Sequence, residues 1–165
     1  MNNYPERFES ETKLEEALSR PTPELVRMAK ILVGDFLFLG VSGKMGISMA
    51  CMAKRACEEA GVKKRVIGVS RFSSLENRKY LENRDIQTIA GDLLNPEFVQ
   101  GLPDAKNVIY LAGTKFGTSG DEAYAWAMNA YLPGLIAERY RDSRIIALST
   151  GCVYSLVDVD SGGSK

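Results

Sequence analysis

The chain contains no histidine, and this absence removes several classes of site at once. Neither a histidine-liganded zinc centre nor a Ser-His-Asp triad can be built from its residues, and no metal site is expected. An excess of charge of one sign is also lacking, since 21 basic residues stand against 21 acidic ones. Balanced charge gives no general attraction to nucleic acid or to an anionic membrane, so neither partner is expected.

Cysteine is scarce and apolar runs are short. The three cysteines, Cys51, Cys57 and Cys152, lack the regular spacing of a disulfide framework, which predicts reduced thiols and a cytoplasmic location. No segment reaches the roughly 20 apolar residues that a membrane span needs. Residues 1–14 lack the apolar core of a secretory signal. We therefore expect a soluble protein.

The length of 165 residues allows one domain with a buried core, because domains near this size bury roughly 70% of their unfolded surface.

The pattern of residues 1–34 predicts a helical appendage, with helices over Thr12–Leu18 and Pro23–Val33. A capping threonine and a proline begin the second helix. Over residues 35–165, short apolar runs alternate with amphipathic stretches. This alternation predicts βαβ units around a parallel sheet, and hence an α/β fold.

The predicted sheet has five strands, each a short run rich in Ile, Val or Phe. These runs are Phe36–Leu39, Arg65–Val69, Ile86–Ala90, Val108–Ala112 and Ile145–Leu148. The predicted helices between them are Met45–Glu59, Leu75–Asn83, Pro96–Leu102 and Glu122–Arg141. Apolar side chains of the last helix could face the sheet, the interpretation we prefer, or form a surface between two copies of the chain. They are Trp126, Met128, Leu132 and Leu135.

Directly after the first predicted strand, glycines recur at intervals of three. They are Gly40, Gly43 and Gly46. Such a loop allows a tight turn, lets the backbone approach a pyrophosphate, and offers the free amides of a helix N-terminus to the anion. A glycine turn that only packs a helix onto a strand is the plainer alternative. The same candidate cofactor-binding segment includes Ser42, Lys44 and Met45.

The end of the second strand bears on the choice between NAD and NADP. Domains that bind NAD through a glycine loop between a strand and a helix carry an acidic residue at the end of their second strand. This residue holds the ribose 2'-hydroxyl of NAD. This chain has Ser70 and Arg71 instead, with no carboxylate beside them. A hydroxyl and a guanidinium can hydrogen-bond a 2'-phosphate, which a carboxylate would repel. The sequence predicts NADP over NAD, with NAD still open; alternatively, Arg71 only solvates the strand end.

Several motifs in chain order resemble those of the extended short-chain dehydrogenase/reductases, the NAD(P)-dependent epimerase/dehydratase family. The Gly-x-x-Gly-x-x-Gly spacing is the first. After the third strand, Gly91 is followed by Asp92 and Leu93, similar to the element that holds adenine. The fourth strand ends in a segment similar to the one beneath the cofactor ribose, with a lysine that the resemblance puts near the nicotinamide. Its residues are Leu111, Ala112, Gly113 and Lys115.

Two later segments extend the resemblance over residues 36–154. Asn129 aligns with an asparagine that the family carries in this helix, where it would brace the fourth or fifth strand. After the fifth strand, Ser149 and Thr150 precede a Val-Tyr pair, and this register implies that Thr150 is catalytic and orients the substrate oxygen during hydride transfer. The family implies a Rossmann-type doubly wound sheet, a small-molecule substrate such as a nucleotide sugar, and homodimers as one arrangement.

The family's catalytic Tyr-x-x-x-Lys does not occur in this sequence. We favour a fragment of a longer epimerase, dehydratase or reductase that ends before that motif and before the substrate domain. The alternative is a non-catalytic NADP-binding sensor of the atypical short-chain dehydrogenase type. A dihydrodipicolinate-type reductase would fit the Gly-Lys-Met-Gly of residues 43–46 but not the segment around Thr150.

Overall fold

A computed structural model describes residues 5, 7–114, 120–149, 157, 158, 160 and 162. Two helices come first, α1 (Glu11–Leu18) and α2 (Pro23–Ile31). Strands and helices then alternate. They are β1 (Phe36–Leu39), α3 (Lys44–Glu59), β2 (Val66–Ser70), α4 (Leu75–Glu82), β3 (Gln87–Ala90), α5 (Pro96–Gln100), β4 (Asn107–Tyr110), α6 (Glu122–Trp126), a π-helical turn (Ala127–Tyr131), α7 (Leu132–Arg139) and β5 (Arg144–Ala147).

The five strands form one parallel sheet in the order β3-β2-β1-β4-β5. This is the strand order of a Rossmann-type doubly wound sheet, so the predicted α/β fold class is confirmed. The direction in which strands are added reverses between β1 and β4. Open α/β sheets bind their ligands in the crevice beyond the carboxyl ends of the strands at such a reversal.

Helices cover both faces of the sheet because successive side chains of a buried strand point to opposite faces. Along β1, Leu37 packs with Val99 of α5 and Ile136 of α7, all fully buried. The next residue, Phe38, packs on the other face with Cys51 of α3 and other residues of α3 and α4. The core therefore lies in two layers, one on each side of β1.

The two N-terminal helices pack on the outer side of α3, partly through polar contacts. The Ser48 hydroxyl donates to Glu15 at 2.7 Å, and Arg55 pairs with Glu16 at 2.9 Å. The second helix stops at Ile31, two residues before its predicted end, because Leu32 is extended (ψ 130°). Within the described part of the chain, no helix combines the length and apolar character needed to cross a membrane.

Most predicted strands and helices differ from the observed ones by one or two residues at an end, and the differences have a visible cause in two regions. The fourth strand ends at Tyr110 instead of Ala112: the Leu111 amide still donates to the Leu39 carbonyl at 2.8 Å, but β1 turns away after that residue and offers no further partner. The predicted continuous helix from Glu122 to Arg141 is interrupted by the π-helical turn and ends at Arg139. Its register is therefore not that of one regular α-helix.

Of the four apolar side chains predicted to face the sheet from this helical region, three face the core. Leu132 is fully buried, and Met128 and Leu135 pack against the layer that contains α5 and α7. Trp126 is 72% exposed. The preferred interpretation, packing against the sheet, is correct for three of these four residues and wrong for Trp126.

Candidate functional site

A cleft of about 250 Å³ lies at the carboxyl ends of the central strands. Its walls come from five separate places in the sequence, namely the glycine loop, the segments that follow β2, β3 and β4, and the π-helical turn. The lining residues are Gly40, Gly43, Ser70, Arg71, Gly91, Asp92, Leu93, Leu111, Ala112, Gly113 and Met128. Most of the predicted cofactor-binding residues are thus brought together in one cleft.

The first and third glycines of the loop are required by the protein's own packing. Gly40 has a φ of +87°, and a Cβ there would lie 2.7 Å from the Ala112 amide nitrogen. A Cβ on Gly46 would lie 2.3 Å from the Val41 carbonyl oxygen. Any side chain at these two positions would collide with backbone, so neither glycine needs a ligand to explain it.

The middle glycine differs, because packing does not require it. Gly43 has a φ of −65°, and a Cβ there would meet only the Gly40 carbonyl oxygen, at 3.4 Å. It is the N-cap of α3 and provides no side-chain hydrogen bond to the first turn. A side chain would therefore fit the protein but would occupy the space in front of the free amides at the N-terminus of α3. The bare backbone leaves that space open to the cleft.

Beside this glycine, the Ser42 hydroxyl is buried and has no hydrogen-bond partner within the described part of the chain. A buried polar group without a partner is uncommon in native proteins. The orphaned hydroxyl and the uncapped first turn of α3 are both suited to an anionic oxygen acceptor. The residues of the loop therefore fit the pyrophosphate of a dinucleotide.

The wall formed by the ends of β2 and β3 carries Arg71 and Asp92, the charged residues among those described as lining the cleft. The carbonyl of Ser70 accepts the Gly91 amide at 3.0 Å, which joins the two strand ends. Arg71 is exposed, and among the described residues its guanidinium makes no hydrogen bond or ion pair. One oxygen of Asp92 accepts the Leu94 amide at 3.0 Å. A carboxylate can accept further hydrogen bonds, so Asp92 can also receive an amino group.

The segment after β4 is fixed by the π-helical turn. Asn129 accepts the Thr114 amide at 3.0 Å and donates to the Thr114 carbonyl at 2.8 Å. One residue earlier, the Met128 carbonyl accepts the Tyr110 hydroxyl at 3.4 Å. Burial raises the pKa of Tyr110 to about 12, so this hydroxyl remains a donor into more alkaline solution than an exposed tyrosine would. Two side chains, Asn129 and Tyr110, therefore hold the floor of the cleft around Gly113 through three hydrogen bonds.

Some predicted residues lie elsewhere. Lys44 and Met45 line a groove of about 730 Å³ between α1 and α3 and are not among the residues that line the cleft. Ser149 is exposed two residues beyond the end of β5 and does not line the cleft. Three further predicted residues are near the cleft but not among those that line it, namely Ser42, Gly46 and Asn129. Lys115 and Thr150 lie outside the described residues.

Two residues of the cleft wall were not predicted as cofactor-binding. Gly91 directly precedes the predicted Asp92, and Met128 directly precedes Asn129. For Gly91 the signal was in the sequence, as a glycine at a strand end, and a Cβ there would lie 2.2 Å from the Phe98 ring. For Met128 no sequence signal exists, because its position depends on the π-helical turn.

Three cavities larger than the cleft lie elsewhere on the described part of the molecule. The groove between α1 and α3 is mainly apolar and lies on the outer side of α3. A second, about 330 Å³, lies beside α1 and is lined only by residues 5–20. A third, about 430 Å³, lies at the amino ends of the strands, where Arg139 and Asp104 already pair at 2.8 Å. We assign the site to the smaller cleft because it lies at the carboxyl ends of the strands and has an open helix N-terminus.

Solved structures that share this fold include Pen from Bacillus thuringiensis, at 17% identity and a TM-score of 0.58 over 69% of this chain and 36% of that one. The Bordetella bronchiseptica enzyme WbmF in complex with NAD+ and UDP matches at 17% identity and a TM-score of 0.58, over 82% and 41%. WbmF in complex with NAD+ matches at 16% identity and a TM-score of 0.58, over 82% and 42%.

The likeness to these proteins shows that they share the Rossmann-type fold. The chain spans about two fifths of the length of these structures, since it covers 36 to 42% of each. No family model matches the sequence, and no curated protein is significantly similar to it.

Proposed function

We propose that this chain binds NADP and forms the cofactor-binding part of an oxidoreductase, an epimerase, dehydratase or reductase that acts on a nucleotide sugar. The observation that carries the proposal is the uncapped first turn of α3. This turn opens onto a cleft that Arg71 also lines, and beside it lies the buried Ser42 hydroxyl. Neither the hydroxyl nor Arg71 has a hydrogen-bond partner among the described residues. WbmF, which has this fold, was solved with NAD+ and UDP, and this supports a nicotinamide dinucleotide and a uridine nucleotide as ligand classes.

Each part of the cleft has a proposed role. The amides and the Ser42 hydroxyl of the loop over residues 40–46 bind the pyrophosphate. Ser70 and Arg71 bind the 2'-phosphate, and Asp92 with the Leu93 amide binds the adenine ring. The small residues of the segment 111–113 let the ribose approach the backbone after β4. Asn129 acts through the Thr114 backbone and keeps that segment in place.

The nicotinamide supplies the hydride chemistry when it is bound. This chain orients the cofactor, and Thr150 would orient the substrate oxygen from the segment after β5. Lys115 would add a positive charge near the nicotinamide. The roles of Lys115, Ser149 and Thr150 rest on the sequence resemblance, and no separate observation favours the alternative of a non-catalytic sensor.

Calorimetric titration with NADP and NAD tests the proposal. We expect the chain to bind NADP at least about tenfold more tightly than NAD, because a guanidinium forms strong charge-assisted hydrogen bonds with phosphate. Arg71→Asp should reverse the preference, since a carboxylate repels the 2'-phosphate and accepts the ribose hydroxyl. Arg141→Asp is the matched control, the same charge change on an exposed residue that does not line the cleft. No binding of either dinucleotide would overturn the proposal.

Two finer proposals concern the state of the protein in the cell. Cys51 and Cys57 are buried free thiols, and burial raises the pKa of Cys51 to about 11. Thiols kept in this form suit the reducing cytoplasm, where we propose that the protein resides. A homodimer also stays a proposal, and sedimentation equilibrium over a range of chain concentrations tests it.

A further inference from the structure

The residue after Arg71 has an unusual backbone conformation. Phe72 has a φ of +50°, and among the described residues the only other non-glycine residue with positive φ is Asp85, at +55°. Asp and Asn adopt this left-handed region several times more often than other residues, whereas for a bulky residue it is an outlier. Strain of this kind persists only where the surrounding structure imposes it.

The surroundings of the Phe72 ring explain why the conformation persists. The ring is 6% exposed and belongs to the buried cluster that includes Leu81 of α4 and Ile86, which precedes β3. The guanidinium of Arg78 lies 5.9 Å from the ring centroid. Burial of a large aromatic side chain is strongly favourable, so it holds the backbone in a conformation that the residue would otherwise avoid.

The buried Phe72 ring fixes the position of the residue before it, Arg71. On one side of Arg71, the Ser70 carbonyl accepts the Gly91 amide at 3.0 Å and so ties the end of β2 to β3. On the other side, the chain turns inward at Phe72, and α4 then begins with a cap from Ser74 to the Asn77 amide at 3.3 Å. Arg71 is therefore a single exposed residue between two fixed points, on the wall of the cleft.

We propose that Phe72 is a positioning residue that sets the preference for NADP over NAD. Its buried ring and left-handed backbone hold the Arg71 guanidinium where a 2'-phosphate binds, so that little conformational freedom of the backbone is lost on binding. This inference rests on the proposed function, because it requires that the cleft binds NADP. It adds that selectivity depends on a core residue that does not itself touch the cofactor.

The test measures the ratio of NADP to NAD affinity by calorimetry on the full chain. Phe72→Asn keeps a residue that tolerates positive φ but removes the buried ring. We expect it to bind NADP about tenfold more weakly, through poorer hydrogen bonding from Arg71, and to bind NAD within about twofold of the original chain. Phe38→Leu is the matched control, a change in the same buried cluster that should leave the ratio unchanged.

A second variant covers the case in which Phe72→Asn does not unfold cooperatively. A single glycine inserted between Arg71 and Phe72 keeps the ring in the core but frees the arginine, and it should lower the ratio in the same way. An unchanged ratio in either folded variant overturns the inference, because a purely structural role would weaken both cofactors equally. If the original chain itself shows no preference for NADP, the proposed function has failed in its cofactor choice, whatever the variants do.

Discussion

Two helices, α3 and α5, begin shortly after strands at the same edge of the sheet, and their first turns are completed differently. At α5, the Asn95 side chain accepts the Glu97 amide at 2.9 Å and the Phe98 amide at 3.2 Å. At α3, the N-cap is Gly43, which has no side chain to offer. A side chain of the protein accepts the first backbone amides of α5. The first amides of α3 are left free for an acceptor from a ligand.

This difference separates a structural turn from a binding loop more clearly than glycine content does. Glycine occurs in both loops, and a Cβ on Gly91 before α5 would also collide, with the Phe98 ring, where those on Gly40 and Gly46 would collide with backbone. What is particular to α3 is a glycine that packing does not require, next to a buried hydroxyl without a partner. An anion at this place would satisfy both the amides and the hydroxyl.

The largest effect on dinucleotide affinity is expected from giving α3 a side-chain cap like that of α5. Gly43→Asp fits the backbone, with a φ of −65° and no contact of its Cβ closer than 3.4 Å. The new carboxylate should cap the first turn and repel the pyrophosphate, weakening dinucleotide binding by about 100-fold. The free energy of unfolding should stay within a few tenths of a kcal/mol of the original, or rise.

Calorimetry and urea unfolding measure the two effects of Gly43→Asp separately. Gly43→Ala is its control, since it adds a Cβ without charge and should weaken binding much less. Binding that survives the aspartate would mean that the first turn of α3 does not hold the pyrophosphate.

The next largest effect is a loss of stability, expected when a Cβ is added to the glycine loop where there is no space for it. Gly46→Ala would put a Cβ 2.3 Å from the Val41 carbonyl oxygen, a backbone atom that cannot move alone. We expect the free energy of unfolding to fall by about 1–3 kcal/mol in spite of the higher helix propensity of alanine. Gly101→Ala, whose Cβ would have no contact closer than 3.5 Å, should be nearly neutral. Urea unfolding of both variants checks the contrast, and equal losses would contradict it.

A smaller effect is expected at the helix that caps itself. Asn95→Ala removes the acceptor for two amides and should lower the free energy of unfolding by about 1 kcal/mol. Its dinucleotide affinity should not change, because Asn95 does not line the cleft. Thermal unfolding measures the loss of stability, and titration measures the dinucleotide affinity. A large loss of affinity would show that the starts of α3 and α5 are not independent.

The smallest effect concerns the orphaned hydroxyl. Ser42→Ala should leave the stability of the free chain unchanged or raise it by a few tenths of a kcal/mol, because a buried unsatisfied hydroxyl is removed. The same change should weaken dinucleotide binding several-fold, because the hydroxyl finds its acceptor in the ligand. Unfolding and titration of one sample check the opposite signs, and a fall in both would mean that the hydroxyl is already satisfied without ligand.

Much of this architecture could be predicted from local sequence patterns. The first strand has its predicted bounds, Phe36–Leu39, because a short apolar run before glycine leaves little choice. The cap at Thr22 also accepts the Leu25 amide at 3.3 Å, as a threonine before proline suggests. The cleft residues were found because the strands are parallel, so that the residues after each strand meet at one edge of the sheet.

Other features could not be predicted, because they depend on neighbours that are distant in sequence. The end of β4 at Tyr110 is set by where β1 turns away, and Lys44 and Met45 line the groove beside α1 and not the cleft. The π-helical turn at Ala127–Tyr131 carries Asn129 to the Thr114 backbone. No periodicity in the sequence marks these outcomes.

The sequence by itself therefore determined the α/β class, the five strands and the loop with three glycines, since periodicity and backbone freedom are properties of local residues. Only the tertiary structure distinguished Gly43, which packing does not require, from Gly40 and Gly46, which it does. It alone revealed the left-handed conformation of Phe72 beside Arg71. These features are decided by contacts between segments, because a collision with a distant carbonyl or the burial of a ring exists only once the chain has folded.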